Sequence, residues 1–113
     1  MNAFNTSSPN AGVTVIRFPE QVLGGADAVA LSTVVRDAVA GGSTVLVLDL
    51  GGVSMMNSSG LGMLVATLST ASKHNASLRL ASVPEKVASL LSMTQLTQVF
   101  DIRDTVDNAV STQ

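Results

Sequence analysis

The sequence predicts an α/β fold, a mixed sheet of about four to five strands with parallel core strands and about four helices, in a single domain over residues 1–113. Three observations predict it. "TVLVLDL" (Thr44 to Leu50) is a near-continuous Val/Leu run of strand length, the mark of a central strand covered on both faces. From Gly60 the apolar spacing becomes helical, with Leu61, Leu64, Val65, Leu68 and Ala71 at i, i+3, i+4, i+7 and i+10. Strand-like and helix-like segments alternate with short connections, which implies right-handed crossovers and parallel pairing in the core of the sheet. At 113 residues there is room for one hydrophobic core and not for two.

The elements follow in order. "GVTVIRF" (Gly12 to Phe18) alternates, with Val13, Val15 and Arg17 on one side and Thr14, Ile16 and Phe18 on the other. It follows a turn-like Ser7-Ser8-Pro9-Asn10-Ala11-Gly12, with Ala3 to Thr6 available as an antiparallel hairpin partner. "PEQVLGGAD" reads as a loop, after which Asp27 can cap a helix with an inward face of Ala28, Leu31, Val35, Ala38 and Val39. Gly41-Gly42 ends that helix. The central strand and the helix from Gly60 come next, and Asn75 supplies the left-handed residue at the helix end. "SLRLASV" is a third strand, and "SVPEKVASLLSM" a helix opened by Ser82 and Pro84, with Glu85 three residues after Ser82. "QVFDI" is a fourth strand and "DTVDNAV" a short helix capped by Asp104.

Composition narrows the function. Almost half the residues are hydrophobic, mostly Val, Leu and Ala, and Phe4, Phe18 and Phe100 are the sole aromatics, too few to stack bases. A net charge of −2 with Arg17, Arg36, Lys73, Arg79, Lys86 and Arg103 scattered along the chain leaves no basic stripe for nucleic acid. With no cysteine and only His74, neither disulfides nor a zinc site can be built, and no metal or cofactor is expected. "MNAFNTSSPN" has no basic region before an apolar run, and no segment approaches the roughly 20 apolar residues that span a bilayer, so the expectation is a cytoplasmic protein without membrane insertion.

Between Asp49 and Lys73 no side chain is charged, and Asn57, Ser58 and Ser59 stand together at the turn between the central strand and the next helix. That turn lies at the carboxyl end of a parallel strand, where α/β folds place their sites. Asn and Ser are also the best N-cap residues, so plain capping is an open reading. The helix face away from the expected core carries Gly62, Met63, Ala66, Ser69 and Thr70, small or flexible and uncharged where Lys and Glu would be ordinary. Such a face suits docking against a protein. A phosphate on a hydroxyl at its edge would add about −1.5 to −2 charges in one step. A hydrolase nucleophile is not supported, because Met56 stands where the elbow needs Gly and no His is positioned as base, so no enzyme is expected. Asp49 lacks a second carboxylate nearby and a phosphate-binding Gly loop, so helix or loop N–H bonding is its expected role, with nucleotide binding as the lesser alternative. His74 is expected to cover the last helix carbonyls. Of Met55, Met56, Met63 and Met93, the helical phase leaves Met63 exposed, with most of the others as core filler.

"VLVLDLGGVSMMNSSGLGMLV" resembles the signature of STAS-domain anti-sigma factor antagonists, and the resemblance extends through "VTVIRF" and "LRLASVPEKVASLLSMTQLTQVFDI". It departs at Asn57, where the family usually has Asp, at Gly24-Gly25-Ala26 before the first helix, and at Gln95, where a Gly is frequent. The resemblance implies a STAS-like fold and a non-enzymatic switch. In that family an anti-sigma factor with Ser/Thr kinase activity phosphorylates the first Ser of Ser-Ser-Gly, which here is Ser58, and a PP2C-type phosphatase reverses it. The unphosphorylated form binds the anti-sigma factor and frees a sigma factor. Taken with the uncharged helix face, the candidate contact residues are Asn57, Ser58, Ser59, Gly60, Leu61, Gly62, Met63 and Ala66. The alternative is a non-switching STAS interaction module of a lipid-transport or stress-signalling assembly, in which Ser58 is only a cap.

Overall fold

The computed structural model describes residues 4–111. Strands β1 (Asn5–Asn10), β2 (Val13–Arg17), β4 (Val45–Asp49), β6 (Ser77–Ala81) and β7 (Asp101–Arg103) form one sheet in the order β1-β2-β4-β6-β7. β1 pairs antiparallel with β2, and every other neighbour in that sheet is parallel. The helices are α1 (Ala26–Ala40), α2 (Ser58–Lys73), α3 (Glu85–Met93) and α4 (Val106–Ser111). A second, two-stranded parallel sheet joins β3 (Gln21–Val22) to β5 (Met55–Met56). The expected mixed α/β architecture, with its parallel core and four helices, is the one observed.

The period-2 alternation of the strands assigns the two faces. Ile16, Leu46, Leu48, Leu78 and Leu80 enter the main core, together with Leu31 and Val35 of α1, Leu61 and Leu64 of α2, and Val87 and Leu91 of α3. Each such side chain, fully removed from water, contributes about 1.5–3 kcal/mol, so this layer dominates the stability. The opposite face carries Val15, Val47 and Ala81, closed by Ala109 of α4. So small a contact would hold α4 weakly. The buried Arg79 guanidinium adds a hydrogen bond from Nη1 to Ala109 O, and its Nε lies 3.8 Å from Asp101 Oδ2. Phe4 and Phe18 meet edge to face at 4.9 Å and close the β1 end of the core.

Several local expectations change. The hairpin exists, but its first strand runs through Ser7-Ser8-Pro9-Asn10, which reads as a turn in the sequence; Ala3 lies outside the described residues. β1 is an exposed edge strand, where Pro costs no ladder bond and no apolar alternation is required. "PEQVLGGAD" contains β3 as well as loop. Gly25, not Asp27, is the N-cap of α1, and Asp27 sits in its first turn. Pro84, not Ser82, is the N-cap of α3, and its ring offers no acceptor; Ser82 lies two residues before it in a left-handed backbone (φ 55°). The fourth strand is shorter and later than "QVFDI", and Thr105 rather than Asp104 caps α4 by accepting from Asn108 N at 3.0 Å.

Candidate functional site

The site is assembled by the end of β4 and the turn into α2. Asp49, nearly buried, accepts from Gly51 N at 3.0 Å and from Arg17 Nη1 at 3.0 Å, the loop-bonding role expected of it. The chain then passes under Glu20, whose carbonyl accepts from Ser54 N and Met55 N, and pairs as β5 alongside β3. These bonds deliver Asn57 to the start of α2 in an extended conformation.

Asn57 is the N-cap. Its Oδ1 accepts from Gly60 N at 2.8 Å, satisfying an N–H group that a helix start otherwise leaves without a partner, and its carbonyl accepts the first intrahelical bond, from Leu61 N at 2.9 Å. The helix therefore begins at Ser58, two residues before the change of spacing at Gly60. Gly60 is required by packing. A Cβ there would lie 2.0 Å from Val22 O, so the first turn of α2 rests directly on the β3 backbone.

Of the eight residues singled out by the sequence, Asn57, Ser58, Ser59, Gly62 and Ala66 are exposed. Gly60, Leu61 and Met63 are interior, which corrects the expectation that Met63 is exposed. The reason is that α2 packs on α1 as well as on the sheet. Met63, Ala66, Thr67 and Thr70 border a groove shared with Ala28, Leu31, Ser32 and Val35 of α1, which turns the buried arc toward Met63 and leaves Val65 41% exposed. Thr67 is tolerated inside because its hydroxyl donates to Met63 O at 2.9 Å. Met55 and Met93, expected mostly as filler, are exposed instead, at 51% and 78%. Leu23, just after β3, and Met55 of β5 add apolar surface near Asn57 that sequence periodicity could not reveal, since each strand has only two residues. His74 Nδ1 lies 2.9 Å from Thr70 O, covering a terminal carbonyl as expected, and Asn75 is left-handed (φ 60°).

The model of the STAS domain family matches residues 8–109. The chain belongs to the STAS domain family. Among solved structures, this STAS domain is similar to a protein of Thermotoga maritima assigned as an anti-sigma factor antagonist, with a TM-score of 0.80 and 28% identity over 95% of this chain and 91% of that one. It also superimposes on the anti-sigma factor antagonist SpoIIAA in its unphosphorylated form, with a TM-score of 0.78 and 17% identity over 96% of this chain and 93% of that one. The phosphorylated form of the Bacillus cell fate determinant SpoIIAA gives 0.74 and 16% over 96% of each chain. At those two identities the likeness is one of fold. Among the described residues, no helix of this STAS domain is long and apolar enough to cross a membrane.

Proposed function

We propose that this STAS domain is an anti-sigma factor antagonist that changes partners through Ser58. Unmodified, it binds an anti-sigma factor that is also a Ser/Thr kinase and so frees a sigma factor. Transfer of the γ-phosphoryl group of ATP to Ser58 Oγ, with ADP leaving, ends the binding, and a PP2C-type phosphatase restores it by hydrolysis. The contact face comprises Asn57, Ser58, Ser59, Gly62 and Ala66, with Gly60, Leu61 and Met63 supporting it from beneath.

The observation that carries this reading is the exposed Ser58 at the first position of α2, in a helix with no charged side chain before Lys73. The 28% identity with the assigned antagonist of Thermotoga maritima supports it. A phosphate on Ser58 is compatible with the fold, because the helix amino terminus favours an anion by about 0.3–1 kcal/mol. It is incompatible with a neutral interface. A thousandfold loss of affinity needs about 4 kcal/mol, within the cost of desolvating an unpaired dianion.

Binding to the kinase captured from the native host tests the reading. Ser58→Ala is expected to bind persistently and Ser58→Asp weakly, and phosphopeptide mass spectrometry after incubation with kinase and ATP is expected to place the modification on Ser58. Equal affinities of the two variants, or modification confined to other residues, would reject it.

A further inference from the structure

The strands β3 and β5 run parallel, and each leads straight into a helix, β3 through Leu23 to Gly25 and β5 through Asn57. With Gln21 opposite Met55 and Val22 opposite Met56, the next rung sets Leu23 beside Asn57. That rung is made by a side chain. Asn57 Nδ2 donates to Leu23 O at 3.4 Å while its Oδ1 holds Gly60 N. An amide can do both, whereas a carboxylate at this position could accept from Gly60 but not donate to Leu23. A steric contact reinforces the polar one. Gly24, at φ 90°, lies so close to α2 that a Cβ on it would stand 2.8 Å from Ser59 Cβ.

We propose that Asn57 is a positioning residue, whose amide ties the Leu23–Gly25 loop to the turn that carries Ser58 and so makes the exposed Leu23 part of the partner face. The second half rests on the reading of Ser58 given above, and the first half stands without it. The tie also accounts for an amide where the related signature has a carboxylate.

Nuclear magnetic resonance on the isotope-labelled full chain tests the tie. Asn57→Asp keeps an acceptor for Gly60 and has no donor for Leu23. Asn57→Ser also keeps an acceptor, and its hydroxyl, one bond shorter than an amide already 3.4 Å from Leu23 O, does not reach that carbonyl; Asn57→Ala removes both. In the Asp and Ser variants the Leu23 carbonyl carbon is expected to shift upfield. Exchange of the Asp27 and Ala28 amides, which bond Gly24 O and Gly25 O, is expected to quicken about fivefold, as for one lost neutral hydrogen bond, with Gly60 and Leu61 protected as in the parent. A residue that only caps would leave the Leu23 carbonyl unmoved in these two variants. An unmoved carbonyl with parental Asp27 and Ala28 exchange, or exchange of Gly60 rising in step with the loop, overturns the tie. In the kinase-binding assay both variants are expected to lose affinity about fivefold relative to the parent. Parental affinity alongside a shifted carbonyl overturns the contribution of Leu23 to the partner face, and a kinase that binds no form of the chain overturns the Ser58 reading while the carbonyl result still decides the tie.

Discussion

Gly60 and Gly62 lie two residues apart in one helix, yet alanine at the two positions is expected to act in opposite directions. At Gly60 the new Cβ would meet Val22 O at 2.0 Å and Val22 C at 2.9 Å, both backbone atoms held in β3. Neither can rotate away, so the start of α2 must lift off β3. Overpacking typically costs 1–3 kcal/mol, and a clash with fixed backbone belongs at the upper end, about 3 kcal/mol. At roughly 4 °C per kcal/mol for a domain of this size, Tm falls by roughly 12 °C. At Gly62 nothing lies within 4 Å of the added Cβ, and the backbone is helical. Alanine there restricts the unfolded chain and favours the helix, raising stability by about 0.5–1 kcal/mol, or roughly 2–4 °C. Thermal and urea unfolding followed by circular dichroism measures both. Equal Tm values for Gly60→Ala and the parent would refute the packing of α2 on β3, and a loss at Gly62→Ala would show that this position is not open.

Three further outcomes are expected. Met63→Lys is expected to destabilise by about 2–4 kcal/mol because it buries a charge at a nearly inaccessible position, while Val65→Lys costs less than about 0.5 kcal/mol; the reverse order in urea unfolding would mean that the periodic reading of α2, not the observed phase, is right. Asp49→Ala removes the acceptor of Gly51 N and is expected to cost about 2 kcal/mol, whereas Arg17→Ala, whose side chain is 58% exposed, costs about 0.5 kcal/mol or less and loses that effect in high salt. Asp101 is held below its usual value of 3.8 chiefly by the hydrogen bond from Arg103, with the charges of Arg103 and Arg79 helping against a desolvation that pulls the other way. A depressed folded value gives stability that is present above the unfolded value and lost as pH falls through the folded one, so the deficit of Asp101→Asn should be constant near neutrality and close below 3.8; a deficit unchanged at pH 2 would contradict it. With the Asp101 side chain 46% exposed, that deficit is expected to be under about 1 kcal/mol.

The parts of the fold legible in the sequence are those where burial is symmetric. Val45 to Asp49 is covered on both faces, so its apolar run declares itself. β1 is not legible in this way, because an exposed edge strand of Asn, Thr, Ser and Pro carries no apolar signal and its pairing is set by the Ala11-Gly12 turn. β3 and β5 are too short to show a period, and with them Leu23, Met55 and the bridge from Asn57 stay hidden. The capping step Asn57-Ser58-Ser59-Gly60 shows in the sequence that a helix opens here, but not that β5 lies between it and the central strand or that Ser58 is already helical. The buried arc of α2 is not, since Met63 and Thr67 are drawn inside by contact with α1, a tertiary effect on which the spacing of Leu61, Leu64 and Leu68 is silent.

Titration calorimetry of the captured kinase with unmodified and with Ser58-phosphorylated chain is the most direct measurement of whether one hydroxyl at the head of α2 governs partner choice. The phosphorylated chain, folded as before by circular dichroism, is expected to lose affinity about a thousandfold. Undiminished binding by the phosphorylated, folded chain would contradict it.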